Sequence, residues 1–423
     1  MLQVPYIREN KDLIIERLKV RNIDATEMIN NIIDTDKNRR ETQQKLDEVL
    51  ASSNAKAKEI GILFKQGKGA EANALKEETS QLKEESKSLQ EAFNNYAEEL
   101  KQLLYLVPNV PNELVPTGKS DEDNVEIFAE GTIPTLHDAA QPHWELTKKY
   151  NLIDFELGVK ISGAGFPVYT GKGARIQRAL ANFFLDNATE KGYREVQPPL
   201  LINEASGYGT GQLPDKEGQM YHATVDDLYL IPTAEVPVTN IYRDVIVNTE
   251  DLPIKNTAYS QCFRREAGSY GSDVRGLNRL HQFDKVEVVQ LTHPSKSNEA
   301  LQEMVDYVKT LLQKLELPFR IVRLCGGDLG FTSSLTYDFE VYSAAQEKWL
   351  EVSSVSNFET YQANRLKCRY RDENGKPQLV HTLNGSALAF PRILAALLEN
   401  NQTPEGIKIP TELAKYTGFD LID

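Results

Sequence analysis

The sequence lacks the features of a membrane protein or of a disulfide-rich secreted protein. Its most apolar stretch, residues 387–398, is interrupted by Pro391 and Arg392 and is shorter than the roughly 18 residues that a spanning helix needs. Three cysteines cannot form a disulfide framework, and the first residues have no apolar signal core. These absences predict a protein of a reducing compartment, the cytoplasm.

The sequence also lacks the spacing of a zinc site and of the common nucleotide-binding loops. Its six histidines and three cysteines are scattered and never stand at ligand spacing. The glycines within residues 163–173 fit neither the Walker A spacing nor the dinucleotide fingerprint. We therefore expect no zinc site, and any nucleotide must be bound by other means.

Negative charge outnumbers positive charge in the sequence. Against 62 Asp and Glu stand 48 Lys and Arg, which gives a formal net charge of −14. Residues 1–104 are nearly neutral, with 17 basic and 19 acidic side chains, so the acidity belongs to the rest of the chain. An acidic chain has no general attraction for nucleic acid, and such a partner must meet a local surface.

Proline is absent from residues 27–104, which are rich in the strongest helix formers. The second half of this region has a heptad pattern, carried by Leu75, Leu82, Leu89, Tyr96 and Leu103. The first half is more polar in its middle, and Lys65–Gly69 is predicted to form a turn. The pattern predicts an antiparallel helical hairpin roughly 55–60 Å long. Taken alone, it also fits a coiled-coil interaction module.

Residues 107–124 are rich in proline and asparagine, which predicts a linker between a domain at 1–106 and another at 125–423. Strand-like runs follow with few helices between them, at residues 257–266, 281–291, 319–324, 336–342 and 349–355. Helical patterns cover residues 174–187, 299–315 and 388–399. This grouping predicts an α+β fold with an antiparallel sheet flanked by helices.

Charged and aromatic residues alternate on two of these strands, which are joined by a loop of Gly, Ser and Arg within residues 267–280. Arg264 shares a strand face with Glu266, and Phe283 shares one with Lys285 and Glu287. Arginine binds phosphate or carboxylate, and an aromatic ring stacks on a nucleobase. The alternative is an exposed strand pair with ordinary surface salt bridges.

Glu351 is the one acidic residue in a run of small hydroxyl side chains that ends at Asn357. Together with Ser354 it offers the oxygen ligands that Mg²⁺ prefers. The two residues are three apart and face opposite ways on a regular strand, so joint coordination requires a bulge. A polar edge strand is the alternative.

Two further segments combine small and charged residues. Thr233 and Glu235 lie between Pro232 and Pro237, which favours a rigid pocket-lining loop or an ordinary surface turn. In residues 384–392, small side chains precede a helix whose start carries Arg392, a place that attracts phosphate. Close packing of small residues is the alternative for this segment.

The order of these motifs resembles that of the seryl-tRNA synthetases, a family of class II aminoacyl-tRNA synthetases. The motifs are the helical hairpin, Pro198-Pro199, Thr-Ala-Glu at 233–235, Phe-Arg-x-Glu at 263–266, His-Gln-Phe-Asp-Lys-Val-Glu at 281–287, Glu-x-Ser-Ser at 351–354 and Asn-Gly-Ser…Arg at 384–392. The resemblance implies a class II fold and ATP-dependent activation of L-serine to seryl-adenylate. It also implies transfer of serine to the serine tRNA, with the selenocysteine tRNA as a further substrate.

The resemblance implies roles for individual residues. The catalytic residues would be Arg264, Arg392 and Glu351, and Mg²⁺ would be held by Glu351 and Ser354. ATP would be bound by Arg264, Arg265, Glu266, Phe283, Glu351, Val352, Ser353, Ser354 and Arg392. Serine would be bound by Thr233, Ala234, Glu235, Arg264, Glu287, Asn384 and Ser386.

The resemblance further implies a homodimer whose hairpin meets the long variable arm of the serine tRNA. Candidate phosphate contacts on the hairpin are Lys37, Arg39, Arg40, Lys56, Lys58, Lys65 and Lys68. One alternative is a relative that charges a carrier protein, but such relatives lack a long arm. Another is an inactive RNA-binding paralogue, which would be expected to lose Arg264, Glu351 or Arg392. The sequence departs from the family pattern at residues 215–217 and at Asn364.

Overall fold

The computed structural model describes residues 1–266 and 275–423. Two compact units are found, one made of Met1–Lys19 with Ile23–Pro108 and the other of Val20–Asn22 with Asn109–Asp423. Most of the loop predicted between the two charged strands, residues 267–274, lies outside the described part of the chain. No described helix is both long and apolar enough to cross a membrane.

Two long helices dominate the first unit. Its helices are α1 (Val4–Glu9), α2 (Lys11–Leu18), α3 (Thr26–Lys65) and α4 (Gly69–Leu106). At 1.5 Å per residue, α3 is about 60 Å long. The chain reverses through Gly67, whose φ of +75° glycine adopts without steric cost. The predicted helical hairpin and its turn are thus confirmed.

The contact between α3 and α4 is strongest near the base of the hairpin. There Ile29 and Ile32 of α3 are fully buried, and Leu100 and Leu104 of α4 are nearly so. Farther out, the heptad residues of α4 are half-buried, and α3 has no buried residue between Leu46 and Leu63. The hairpin therefore has a thin apolar seam whose middle is polar.

An eight-stranded sheet organises the described part of the second unit. Its strands are β1 (Val125–Glu130), β2 (Arg194–Glu195), β3 (Ile254–Phe263), β4 (Gln282–Thr292), β5 (Phe319–Arg323), β6 (Leu335–Ser343), β7 (Lys348–Glu359) and β8 (His381–Ala389). Their order is β1-β5-β6-β7-β8-β4-β3-β2. The pairs are antiparallel, except that the edge strand β2 runs parallel to β3. The predicted antiparallel sheet of an α+β fold is confirmed.

Helices flank this sheet. They are α5 (His143–Lys149), α6 (Phe155–Ile161), α7 (Gly171–Glu190), α8 (Glu204–Thr210), α9 (Glu235–Asn240), α10 (Ser297–Lys314), α11 (Thr360–Leu366), α12 (Phe390–Asn400) and α13 (Thr411–Thr417). Buried residues of α7, α10 and α12 form one apolar core with Val286 and Val288 of β4. Because side chains alternate along a strand, Lys285 and Glu287 point away from this core. That alternation places charged groups on the opposite face of the sheet.

Small sheets complete the second unit. They join Ile153–Asp154 with Val168–Tyr169, Leu201–Asn203 with Leu228–Leu230 and His222–Ala223, Ile246–Val247 with Arg369–Arg371 and Pro377–Leu379, and Gln402–Thr403 with Gly406–Lys408 and Leu421–Ile422. The segment predicted as a linker at 107–124 joins this unit from Asn109 onward. Asn109 donates from Nδ2 to the carbonyl oxygens of Thr332 and Phe358, each at 2.9 Å, and accepts from Nε of Arg21. This part of the segment is therefore fixed by hydrogen bonds.

Candidate active site

A cleft of about 640 Å³ opens on the charged face of the sheet. Eight of the residues predicted to bind substrate line it: Arg264, Glu266, Phe283, Glu351, Val352, Ser353, Ser386 and Arg392. They come from β4, β7 and β8, from the residues just after β3 and from the start of α12. Residues that are up to 128 positions apart in the chain thus meet in one place, because their strands are neighbours in the sheet.

Arg264 and Phe283 lie side by side in this cleft. Arg264 directly follows β3, and its backbone N–H donates to the carbonyl of His281 at 3.0 Å. Its guanidinium carbon lies 5.3 Å from the centre of the Phe283 ring, and its Nε donates to the carbonyl of Pro232 at 3.4 Å. A cation and an aromatic plate therefore stand together at the entrance to the segment that carries Thr233 and Glu235.

Glu266 and Arg265 differ in their surroundings. Glu266 has a positive φ of +49° and accepts a hydrogen bond from Nη1 of Arg279 at 3.4 Å. Arg265 has an exposed side chain that does not line the cleft, while its backbone N–H donates to the carbonyl of Gln219 at 2.9 Å. The two neighbours thus face opposite sides of the chain.

Two carboxylates are buried at the inner end of the charged face. Thr233 donates from Oγ1 to Oε2 of Glu287 at 3.0 Å, and Nζ of Lys285 lies 2.6 Å from the same oxygen. Glu235, at the start of α9, is only 6% exposed. Thr233 and Glu235 therefore belong to a buried polar cluster and not to a surface turn.

The cluster holds more negative charge than its neighbours neutralise. Glu235 accepts from Nε2 of Gln362 at 2.6 Å, and Gln362 in turn accepts from Oγ1 of Thr382 at 2.8 Å. Burial, followed by the nearby charge of Glu287, raises the pKa of Glu235 to about 7. Such a carboxyl gains its charge most readily beside a cation, so the cluster suits an ammonium group.

The floor of the cluster comes from β8. Ser386 pairs with Glu287 across β4 and β8, and its carbonyl accepts from Oγ of Ser353 at 2.6 Å. Asn384 stands two residues earlier on the same strand, opposite Val289, and is 9% exposed. Ala234 is fully buried between the two polar residues of its segment. The predicted serine-binding residues therefore gather around Glu287.

Glu351 and Ser354 lie on β7 on either side of a register shift. Phe339 of β6 pairs with Ser353 but the next residue, Glu340, pairs with Glu351, so Val352 is the extra residue of a bulge. The bulge that joint coordination requires is present. Asp338 lies close to both, and burial together with the charge of Glu351 raises its pKa well above the usual range. Its buried Oδ1 has no hydrogen-bond partner among the described residues. This set of oxygen atoms fits a divalent cation.

Arg392 connects this corner to the helix that follows β8. It lies in the first turn of α12 and donates from Nη1 to the carbonyl of Glu351 at 2.7 Å. Its Nε donates to the carbonyl of Asn278 at 3.3 Å, and its Nη1 lies 3.5 Å from Oε2 of Glu351. The guanidinium is held by carbonyl groups, and the Arg392 side chain as a whole is 22% exposed.

Known proteins match this chain over its whole length. Residues 1–111 match the family described as "Seryl-tRNA synthetase N-terminal domain", and residues 220–401 match "tRNA synthetase class II core domain (G, H, P, S and T)". The serine–tRNA ligase of Salinibacter ruber is 50% identical over 421 residues, which cover 99% of this chain and 98% of the relative. The chain belongs to the seryl-tRNA synthetase family.

Solved structures of seryl-tRNA synthetases share the fold. The enzyme of Pyrococcus horikoshii, in complex with ATP, has a TM-score of 0.92 and 32% identity over 100% of this chain and 99% of that one. The cytoplasmic serine–tRNA ligase of Naegleria fowleri, in complex with AMP, has a TM-score of 0.88 and 26% identity over 100% and 99%. The predictions of a class II synthetase fold and of an ATP-dependent serine–tRNA ligase are confirmed.

Several residues in or beside this cleft were not predicted as site residues, among them Lys285, Asn278, Gln362 and Asp338. Lys285 could have been found, because strand alternation puts it on the face of Phe283 and Glu287. Gln362, Asp338 and Asn278 act through partners 13 or more positions away, at Thr382, Glu351 and Arg392. No local sequence signal marks them.

The departure from the family pattern at residues 215–217 has a structural use. Asp215 accepts from the backbone N–H groups of Gln219 and Met220, at 3.0 and 2.8 Å. Lys216 places its ammonium 4.5 Å from the centre of the Phe331 ring. The carboxylate of Asp215 therefore bonds the backbone of the residues that follow it in the same segment.

Proposed function

We propose that the cleft binds ATP and L-serine side by side and joins them as seryl-adenylate. One observation carries this assignment: Arg264 stacks on Phe283 and also reaches the carbonyl of Pro232, next to the buried carboxylate cluster. A single cation thus stands between a place for a nucleobase and a place for an ammonium group. Serine and ATP require that arrangement.

Glu235 and Thr233 would hold the ammonium end of serine, with Glu287 and Ser386 near its hydroxyl. Glu287 already accepts from Thr233 and pairs with Lys285, so its position is fixed before serine arrives. Alanine or glycine would leave these buried groups without a partner, which can give about 10⁴-fold rejection. Asn384 and Ala234 would complete the walls, and the extra methyl group of threonine would be excluded by size.

Phe283 would stack on adenine, with Glu266 beside the base and Arg265 contributing through its backbone. Val352 and Ser353 would border the ribose and phosphates. Arg264 would bridge the α-phosphate and the carboxylate of serine, so that a carboxylate oxygen attacks the phosphorus in line. Arg392 would neutralise the polyphosphate as pyrophosphate leaves. No covalent bond to the protein is needed.

Glu351 and Ser354 would hold Mg²⁺, with Asp338 beside them. The support is the bulge at Val352 and Oδ1 of Asp338, for which the described residues supply no hydrogen-bond partner. When bound, Mg²⁺ polarises phosphate oxygens and screens their charge.

The hairpin would bind the backbone of the long variable arm of the serine tRNA, and of the selenocysteine tRNA where one exists. Side chains can recognise A-form RNA by shape and phosphate, because its major groove is closed to them. Among the candidates, Arg39 and Arg40 pair with Asp36, and Lys56 pairs with Glu78. Lys58 and Lys65 are exposed and have no ion pair among the described residues. We expect these two to contribute most.

The enzyme would act as a homodimer in the cytoplasm, with residues 1–106 as the tRNA-binding domain and 125–423 as the catalytic domain. A dimer allows the hairpin of one subunit to present tRNA to the cleft of the other. Sedimentation of the purified chain tests this, and a monomer that charges tRNA at full rate would contradict it.

The direct test of the cleft is serine-dependent exchange of labelled pyrophosphate into ATP, without tRNA. We expect exchange with serine and little with alanine, glycine or threonine. Exchange that does not depend on serine, or that favours alanine, would contradict the assignment of Glu235 and Glu287.

A shortened hairpin tests the role of the arm. Residues 43–91 would be removed and residues 42 and 92 joined by a short Gly-Ser linker, which keeps the base of the hairpin and the contact of Arg39 with Phe93. We expect normal pyrophosphate exchange and loss of tRNA charging. The matched variant Lys58→Ala/Lys65→Ala should weaken charging and reduce its salt dependence. Unimpaired charging by the shortened enzyme would refute the assignment.

A further inference from the structure

A fully buried, hydrogen-bonded pair of side chains lies behind the nucleotide end of the cleft. His143, the first residue of α5, and Glu399, near the end of α12, are both 0% exposed. Nδ1 of His143 lies 2.7 Å from Oε1 of Glu399, which also accepts from the backbone N–H of His143 at 2.8 Å. Neither residue lines the cleft, so the proposed chemistry makes no direct use of them.

The other side of the imidazole holds the chain that enters β4. Nε2 of His143 accepts a hydrogen bond from the backbone N–H of Leu277 at 2.8 Å. This contact fixes the neutral tautomer, with the proton on Nδ1 directed at Glu399. The carboxylate is then satisfied by donors alone, since Nε2 of Gln346 donates to Oε1 at 3.0 Å and Oγ of Ser343 donates to Oε2.

The same network reaches Arg392. Nδ2 of Asn278 donates to Oε1 of Gln346 at 3.0 Å, and the carbonyl of Asn278 accepts from Nε of Arg392 at 3.3 Å. Leu277, Asn278 and Arg392 all line the cleft. An unbroken chain of hydrogen bonds therefore runs from the buried pair to the guanidinium proposed to neutralise the polyphosphate.

The shape of the chain matches the ring. Gly276 has a φ of +67°, and a Cβ built on it would lie 2.2 Å from Nε2 of His143. The imidazole thus occupies the space that any other side chain at this position would need. Residues 276–278 and His143 fit each other both sterically and by hydrogen bonding.

We infer that the His143–Glu399 pair is a positioning device that holds residues 276–278 so that Asn278 aims Arg392 at the phosphates of ATP. The inference rests on the proposed function of the cleft. Since a misplacement of roughly 1 Å can lower activity by about 100-fold, a buried pair of this kind has a large effect without touching substrate. It acts on the nucleotide end alone, because its contacts do not include Thr233, Glu235 or Glu287.

The test compares ATP binding with serine binding. His143→Phe keeps the ring and removes both nitrogen contacts, whereas His143→Gln retains a side chain able to accept from Leu277 and to donate to Glu399. For His143→Phe we expect the dissociation constant of Mg-ATP, measured by calorimetry without serine, to rise about tenfold or more. The KM for ATP should rise with it, the KM for serine should stay within about twofold, and His143→Gln should restore most of the ATP affinity.

Two further variants keep the test decisive. His381→Phe makes the same change at the far end of β8, where the imidazole bonds only Oγ of Ser297 at 2.9 Å among the contacts described, and it should alter neither constant. Gly276→Ala displaces the chain from the ring while His143 and Glu399 themselves are not replaced, and it should reproduce the loss of ATP affinity even where His143→Phe fails to fold.

Wild-type ATP affinity in folded His143→Phe and Gly276→Ala, or equal rises in both KM values, would overturn the inference. ATP binding is measured without serine, so the two proposals can fail separately. A wild-type enzyme that binds ATP but shows no serine-dependent exchange would overturn the proposed function, while the effect of the variants on ATP binding could still be measured.

Discussion

The cleft, which we propose binds the nucleotide, and the buried carboxylate cluster beside it, which we propose binds serine, are built on opposite principles. At the serine end, Thr233, Glu235 and Glu287 are at most 6% exposed and are hydrogen-bonded before any substrate is present. At the nucleotide end, the side chains of Arg392 and Glu351 are 22% and 49% exposed. One end is closed and acidic, and the other is open and carries the guanidinium groups.

This difference matches what each end must distinguish. A small amino acid offers few atoms, so selectivity requires buried groups that are costly to leave unpaired. A polyphosphate offers much charge, and cations on a rigid frame bind it even when water has access. The contrast predicts that substitutions at the two ends affect different kinetic constants.

The largest effect is expected for Arg264→Ala, because Arg264 contacts both ends. Loss of a cation that stabilises charge developing at the α-phosphate should lower pyrophosphate exchange by about 10³-fold. Arg371→Ala, which removes an exposed arginine of a small sheet, serves as the control and should have little effect. Near-normal exchange by Arg264→Ala would show that Arg264 does not bridge the two substrates.

Glu235→Gln should separate function from stability. Removing the carboxylate that faces the ammonium should raise the KM for serine by about 100-fold with little change in the KM for ATP. The folded-state pKa of Glu235, about 7, lies above its usual value of 4.5, so the wild type loses stability as pH rises through 7.

The variant should therefore be more stable than the wild type at pH 8.5 by about 3 kcal/mol, and nearly equal at pH 5. Urea unfolding at the two pH values checks this. If the difference in unfolding free energy between the variant and the wild type is the same at both pH values, burial does not destabilise the charged form of Glu235.

Gln362→Leu tests whether the serine end depends on its supporting amide. Loss of the hydrogen bond to Glu235 should raise the KM for serine by roughly 20-fold and leave the KM for ATP unchanged. Gln290→Leu is a matched control, since Gln290 is equally buried on β4 but bonds Tyr193. An equal rise in the KM for serine in both variants would mean that Gln362 contributes only by packing.

The smallest effect is expected for Asp338→Asn at the nucleotide end. The Mg²⁺ concentration for half-maximal exchange should rise about tenfold, because a carboxylate beside the proposed ligands is lost. Glu340→Gln on the same strand removes an equal charge that pairs instead with Arg320, and it should leave the Mg²⁺ requirement unchanged. Identical responses would indicate a long-range charge effect.

The hairpin could be predicted from the sequence because its causes are local. Heptad spacing, the lack of proline and the glycines near Lys65–Gly69 are all read within one segment, and the helices end within a few residues of the expected positions. Strands β3 to β7 of the main sheet were found by the same kind of local pattern, whereas β1 and β8 were not predicted. The order of the strands in the sheet was not predicted either, since pairing depends on contacts between distant segments.

The cleft was only partly predictable for the same reason. Phe283 and Glu287 follow from strand alternation, but the bulge at Val352 depends on the pairing of β6 with β7. The burial of Glu235 depends on α11, which supplies Gln362. Resemblance supplied the roles of the named residues, whereas the supporting residues became visible only in the folded chain.

The most direct test of the contrast between the two ends is the pH dependence of both KM values for the wild-type enzyme, measured by exchange at saturating Mg²⁺. We expect the KM for serine to rise as pH falls below about 7, where Glu235 becomes protonated and loses its attraction for an ammonium group. The KM for Mg-ATP should change much less over the same range. A carboxyl with a raised pKa titrates over roughly the span from pH 5.5 to pH 8.5. A KM for serine that stays constant over this span would contradict the account.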